Sequence, residues 1–303
     1  MTYRVNQKYV MLSACLILVL SGFSQPFAEE QGCLPVVQPA KVGMKAETLA
    51  RISERLKDFV ANREIAGAVT LVARNGSIVH WEATGWADVE KQIPMQKDSL
   101  FQIASMTKPI TATALMILVD RGKVRLEDPV ARYIPEFQEI TVKGQPLTAP
   151  VTVKHLLTHT SGLTGSQRTE TTLQATVEQI AKGGLSFQPG ERWNYSPGLT
   201  VCGRIIEVVS GMPYEQFLKK EIFEPLEMVD TTFVPNESQR ARLAKPYQRT
   251  NDGQLTPGGG ASWLIEDSGV RAPNPSGGLY STAGDLVRFY QMVLNGGELC
   301  GRR

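Results

Sequence analysis

The chain has 303 residues, of which 42% are hydrophobic and 20% charged, with 32 basic side chains against 30 acidic ones. This composition excludes a disordered, collagenous or coiled-coil chain and leaves room for one large domain or two intimate ones. A net charge of +2 is too small to argue for a nucleic-acid surface or for strong steering of an anionic substrate.

At the start of the chain, Arg4 and Lys8 precede an apolar run from Tyr9 to Leu20, and Ala28 stands just before Glu29 and Glu30. This is the pattern of a cleaved secretory signal over residues 1–28. The run is short for a bilayer span, and no second run of membrane length follows it. The expectation is a periplasmic or secreted protein with no membrane span once the signal is removed. Cleavage would take Cys15 and leave Cys33, Cys202 and Cys300, an odd number at spacings unlike a metal motif, so no disulfide framework is expected. Cys202, in an apolar periodic segment, reads as a small core residue.

From Lys45, the residues Leu49, Ile52, Leu56 and Phe59 repeat at helical spacing and predict an amphipathic helix. Two β-rich runs, Ala68 to Arg74 and Ser77 to Thr84, are joined by Asn75-Gly76, the signature of a tight hairpin. Thr107 to Asp120 is almost continuously apolar or small and predicts a helix buried on all sides. Further helices are predicted at Val153 to Thr158, Thr172 to Lys182, Gly198 to Ser210, Tyr214 to Ile222 and Thr282 to Leu294. Asn236 to Ala261 and Glu266 to Gly278 are polar and rich in Gly and Pro, and are expected to be loops walling a cleft.

The candidate chemistry begins at Ser105-Met106-Thr107-Lys108, at the mouth of the buried helix. Side chains three apart on a helix share a face, with Cβ atoms roughly 5 to 6 Å apart, which permits direct proton transfer. A serine needs a base to become a nucleophile, and no Ser/His/Asp arrangement is apparent. A neutral lysine serves instead, a form that desolvation favours. At Trp193-Asn194-Tyr195-Ser196-Pro197, Ser196 and Pro197 read as N-cap and first turn of the Gly198 helix, which leaves Tyr195 as a second group able to relay a proton. His155 and His159, four apart, lack both an intervening Glu and a clear third ligand. They are read as bonding partners of the Thr160-Ser161-Gly162 turn, with a zinc site as the remote alternative.

Several blocks together resemble the serine β-lactamase and penicillin-binding-protein superfamily, especially its class C β-lactamase, D-alanyl-D-alanine peptidase and carboxylesterase branch. They are Phe101-Gln102-Ile103-Ala104-Ser105-Met106-Thr107-Lys108-Pro109, Leu126-Glu127-Asp128-Pro129-Val130, His155-Leu156-Leu157-Thr158-His159-Thr160-Ser161-Gly162-Leu163, Tyr195-Ser196 and Gly277-Gly278-Leu279-Tyr280-Ser281-Thr282-Ala283-Gly284-Asp285. The resemblance implies an α+β fold: an antiparallel sheet flanked by helices, with a helical region over about 105–235 inserted after the hairpin, the hydrolase domain filling 29–303. It implies Ser105 as acylated nucleophile, Lys108 as its base and Tyr195 as second proton-transfer group, with His155, His159 and Asp128 as scaffold. It implies no cofactor and no metal, and a small ester or an amide of the β-lactam or D-alanyl type as substrate.

Two departures qualify this expectation. Pro197 stands where the resemblance would place an amide side chain, which tilts the reading toward esterases. The third motif that the resemblance implies, Lys-Thr-Gly or an equivalent on a strand after the last helix, is not found before Arg303, so the domain is expected to be C-terminally incomplete and to lack its last strands. Loss of one oxyanion donor costs roughly 100- to 1000-fold in rate, so a domain without that motif is expected to fall short of full activity. The alternative functional class is a non-catalytic penicilloyl-binding or peptidoglycan-sensing module. A metalloenzyme built on His155 and His159 is the third.

Overall fold

Leu49, Ile52, Leu56 and Phe59 fall on one side of helix α1, Ala46–Ala61. Leu49 is buried and the other three are half-buried, as expected for a helix lying on a sheet. The Ser53 hydroxyl on this helix donates to the Glu82 carboxylate on the sheet. The computed structural model describes residues 33–165, 168–258 and 270–303; the expected signal segment, 1–28, lies outside the described residues.

The sheet is antiparallel in the order β1-β2-β3, with β1 at Gly67–Arg74, β2 at Ser77–Asp88 and β3 at Ile93–Pro94. Asn75 and Gly76 take φ values of 52° and 72°, the two positive angles that let a two-residue turn follow the strand twist. Helix α1 packs against β2, and the final helix packs against β1. The architecture is thus an antiparallel sheet flanked by helices.

The chain then forms β4, Phe101–Gln102, and enters α2, Thr107–Asp120. Ile110, Ala114, Leu115 and Leu118 of α2 are buried, but Pro109, Met116 and Asp120 form an exposed strip. The expectation of burial on all sides is corrected to that extent: seven-residue spacing carries Pro109 and Met116 onto the same outward face. Next come α3, Val153–Leu157, α4, Leu173–Lys182, and α5, Gly198–Ser210. Helix α5 packs on both α2 and α3 and buries Leu199, Cys202, Ile205 and Ile206. At Gly198 a Cβ would lie 2.5 Å from the Leu156 carbonyl oxygen, so only glycine permits this approach of α5 to α3.

The helix expected from Tyr214 to Ile222 is broken. Helix α6 covers Tyr214–Leu218, a π turn covers Lys219–Phe223, and α7 is the short Glu224–Leu226. Pro225 has no N–H for the carbonyl four residues back, which removes one α-helical bond where the turn widens. The loop expected from Asn236 contains α8, Glu237–Arg240, capped by the Asn236 side chain, and the hairpin β5, Tyr247–Arg249, with β6, Leu255–Pro257. These elements are too short to show a period in sequence. Part of each predicted loop falls on 259–269, outside the described residues. Strand β7, Tyr280–Ser281, pairs with β4 and leads into α9, Ala283–Leu294, capped by Thr282.

Cys33 and Cys300 form a disulfide with Cα atoms 5.6 Å apart, which corrects the expectation that the cysteines imply none. Their sequence separation of 267 carries no spacing signal; the pairing becomes visible only once Pro35 and Val37 bond to Ile78 on β2 and α9 returns the chain. Cys202 is free and buried, and burial pushes its thiol pKa up. Among the described residues no helix is long and apolar enough to cross a membrane. Replacing Cys300 by Ser, or reducing the bond, is expected to lower the unfolding free energy by about 2–5 kcal/mol. Urea midpoints of the oxidised and reduced protein measure this, and equal midpoints would contradict it.

Candidate active site

Ser105 is delivered by a sharp strand-to-helix transition. Strand β4 ends at Gln102, the Ile103 amide bonds to the Leu279 carbonyl at 3.0 Å, and Ala104 takes a left-handed φ of 44°. That angle costs a residue with a Cβ about 1–2 kcal/mol; it turns the chain into the 3₁₀ turn Ala104–Met106. Ser105 therefore stands exposed just before α2, where the helix N-terminus favours a negatively charged oxygen.

One turn on, Lys108 is buried and its Nζ lies 3.2 Å from Ser105 Oγ, in the geometry its spacing predicted. Nζ also donates to the Ser276 carbonyl oxygen at 2.5 Å. Ser276 was given no role by the sequence, although it borders the Gly277-Gly278 block. The 274–279 segment is built to hold that carbonyl. The Asn274 side chain accepts the Ser276 amide at 2.9 Å, Ser276 Oγ lies 2.7 Å from Thr200 Oγ1 on α5, and Thr111 on α2 donates to the Pro275 carbonyl at 2.7 Å. In the described part of this stretch, Asn274 and Ser276 are buried and brace Lys108.

Tyr195 arrives from the other side. Its hydroxyl donates to Ser105 Oγ at 2.6 Å, and its ring centroid lies 4.6 Å from Lys108 Nζ. Burial by itself pushes the phenol pKa up, but the interactions with Lys108 and Ser105 outweigh it and the net direction is down. The three residues predicted from sequence, Ser105, Lys108 and Tyr195, are thus brought together.

The expected N-cap role of Ser196 is corrected. The N-cap of α5 is Pro197, with no side-chain cap, and Ser196 instead turns to His159, whose Nδ1 lies 3.2 Å from Ser196 Oγ and accepts the Ser196 amide at 3.1 Å. A ladder of backbone bonds fixes the same region: Asn194 to the His159 carbonyl at 2.8 Å, Gly190 to Thr160 at 2.8 Å and Ser186 to Gly162 at 2.9 Å. His155 is engaged elsewhere. Its Nδ1 accepts the Thr152 amide at 3.2 Å in a capping box of α3. The two histidines thus have separate partners, and among the described residues no group of three His, Cys, Asp or Glu is placed to hold a metal.

Asp128 anchors α3 from behind. Its carboxylate accepts the Tyr133 hydroxyl at 2.5 Å, the Arg125 amide at 2.9 Å and Arg132 at 3.1 Å. The Tyr133 bond holds it below the usual carboxylate range against the opposing effect of burial. Its backbone carbonyl receives the Val153 amide.

Comparisons with known proteins place the chain in a family. Residues 52–302 match the family model described as Beta-lactamase. The chain is 35% identical over 291 residues to Esterase EstB of Burkholderia gladioli, covering 85% of this chain and 73% of the esterase. It is 30% identical over 273 residues to the D-alanyl-D-alanine-carboxypeptidase/endopeptidase AmpH of Escherichia coli, covering 86% and 66%. It matches Protein Rv1367c of Mycobacterium tuberculosis at 31% identity, covering 79% of this chain and 65% of that protein. The chain therefore spans about two thirds to three quarters of these relatives. In structure it matches EstCE1, a hydrolase with promiscuous acyltransferase activity, with a TM-score of 0.74 at 24% identity, covering 85% and 75%. The match to the octameric penicillin-binding protein homologue from Pyrococcus abyssi has a TM-score of 0.67 at 28% identity, covering 84% and 57%.

Lys108→Ala should move the Tyr195 phenol titration to higher pH. The difference in tyrosinate absorbance between a protein with Tyr195 and its Tyr195→Phe counterpart isolates that curve. An unchanged midpoint would mean that Lys108 does not act on the phenol.

Proposed function

Since the chain belongs to the beta-lactamase family, we propose that it is a serine hydrolase that forms an acyl-enzyme at Ser105 and acts on small esters or on amides of the β-lactam or D-alanyl type. The single observation that carries this is Ser105 Oγ lying within 2.6 Å of the Tyr195 hydroxyl and 3.2 Å of Lys108 Nζ at a solvent-exposed helix mouth.

In its ionised form the Tyr195 phenol takes the Ser105 proton as Oγ bonds to the substrate carbonyl carbon. The protonated phenol then gives that proton to the leaving alcohol or amine as its bond to carbon breaks. In the second half, water passes a proton to Tyr195 and adds to the acyl carbon. Collapse expels Ser105 Oγ, which recovers the proton. The sequence reading gave the abstraction to Lys108; the shorter Tyr195 contact and the downward direction of its phenol pKa support Tyr195 as the closer base. Lys108 then orients Oγ and favours the phenolate. Besides substrate and water, this cycle uses only side chains of the chain itself.

Esters are preferred over amides in this reading. The similarity to an esterase supports it, as does Pro197, which offers no side-chain amide to an acylamido group. The similarity to a D-alanyl carboxypeptidase keeps the amide class within the proposal. The chain spans 64–66% of the length of several relatives, and the activity of the whole protein belongs to the same proposal. Export to the periplasm or medium is proposed as well, and the Cys33–Cys300 disulfide supports it, since such bonds persist in oxidising compartments.

Intact-mass analysis after exposure to a p-nitrophenyl ester and to a penicillin tests the reading. Turnover, with an acyl adduct that Ser105→Ala abolishes, is the expected outcome; a persistent adduct without turnover identifies the sensing module instead. For export, the amino terminus of the protein recovered outside the cytoplasm should begin near Glu29, and recovery of intact protein in the cytoplasm alone would refute it.

A further inference from the structure

We propose that His159 is the positioning residue that holds Tyr195 on Ser105, and that it does so only while its Nδ1 is unprotonated, so that acid releases the proton carrier from the nucleophile. His159 in this role presupposes Tyr195 as the proton carrier of the acyl-enzyme cycle.

Three separate contacts tie His159 to the segment that carries Tyr195. Its backbone carbonyl accepts the Asn194 amide at 2.8 Å. Its Nδ1 accepts the Ser196 amide at 3.1 Å. Its ring stacks on the Tyr195 ring with centroids 4.6 Å apart and planes 30° apart, while the edge of Trp193 approaches at 6.2 Å. The residues on both sides of Tyr195 and the phenol ring itself are thus fixed by one residue. His159 takes a left-handed φ of 58°, a conformation that a residue with a Cβ adopts at a cost and that aims the imidazole under the phenol.

The chemistry of the bond sets its dependence on pH. A backbone N–H can only donate, so Nδ1 must keep its lone pair and the proton of the neutral ring must sit on Nε2. Protonation turns Nδ1 into a donor facing a donor. The titratable and charged groups facing the ring are the Tyr195 phenol, from the segment before α5, and the Lys108 amine, from α2. Burial first, and the charge of Lys108 second, push the imidazole pKa down. The sign follows: the native pKa is below the unfolded value of about 6.5, so the contact is complete at neutral pH and is lost as pH falls through the lower native value.

Two variants separate the acceptor from the ring. In His159→Asn, Oδ1 stands in for Nδ1 as acceptor, asparagine tolerates the left-handed φ, and nothing is left to titrate. In His159→Phe the ring stays and the acceptor goes. The expected result for His159→Phe is a fall in kcat of about 100-fold, the scale of a misplacement near 1 Å, with KM within about threefold, together with a Tyr195 phenol titration shifted to higher pH. His159→Asn is expected to keep kcat within about tenfold of the unmodified protein and to reduce the acid limb of the kcat profile from two protonations to the single one that Tyr195 itself contributes. A folded His159→Phe with unchanged kcat and unchanged Tyr195 titration overturns the proposal. If that variant does not fold, an acid limb that keeps both protonations unchanged in His159→Asn overturns it. The phenol titration requires no substrate, so a protein that turns nothing over refutes the hydrolase while leaving the hold of His159 on Tyr195 open to measurement.

Discussion

Ser105 Oγ must be met by two proton-carrying groups whose own positions are fixed independently, because a hydroxyl is a poor nucleophile unless its proton has somewhere to go at short range. Lys108 reaches it along the same helix and Tyr195 reaches it from the turn before another helix, and the two arrive at 3.2 and 2.6 Å. The packing of α5 on α2 and α3 serves this meeting. Gly198 lets α5 approach the Leu156 backbone, which places the residues just ahead of α5 beside the mouth of α2. A bulkier residue there would separate the two proton carriers before it emptied any core.

Around the three residues, polar groups are satisfied by backbone rather than by loose side chains. Lys108 is buried, a costly place for an amine unless it is bonded, and the Ser276 carbonyl supplies the bond. That carbonyl is in turn held by a segment bonded to Thr111 on α2 and Thr200 on α5. The Thr158-to-Gly162 turn does the equivalent for Tyr195 through three backbone bonds to the 186–194 stretch. Asp128 secures α3, from which that turn springs, through its backbone carbonyl, which accepts the Val153 amide, while its carboxylate gathers Tyr133, Arg132 and the Arg125 amide. Such support holds reacting atoms in place without the entropy loss of ordering long side chains.

The site is open rather than enclosed. Tyr195 is 45% and Trp193 65% exposed, so the reacting hydroxyl is within reach of solvent and of a carbonyl entering from outside. Catalysis at such a site depends on preorganised donors and proton carriers more than on exclusion of water. A left-handed Ala104 and a left-handed His159, one beneath each catalytic segment, show where local conformational cost has been accepted to orient the reacting groups.

Ser105 and Lys108 were legible in sequence because their relation is local: three residues along one helical turn fix a distance whatever surrounds them. The same holds for the Asn75-Gly76 hairpin and for the apolar periodicity of α1 and α5, where backbone sterics and a period of 3.6 decide the outcome. Tyr195 was readable as a candidate from its place ahead of the Gly198 helix and from the family resemblance, but nothing local says that its phenol meets a serine 90 residues away. Ser276 acts through a backbone carbonyl, which no residue identity announces, and Ser196 looked like a helix cap until His159 claimed it. The Cys33–Cys300 bond joins residues 267 apart. The sequence determined which groups are candidates for the chemistry and how the strongly patterned local segments fold. The tertiary structure alone decided which of them touch, because contacts between distant segments depend on how helices and sheet pack, and packing depends on the shape of the whole core rather than on any local pattern.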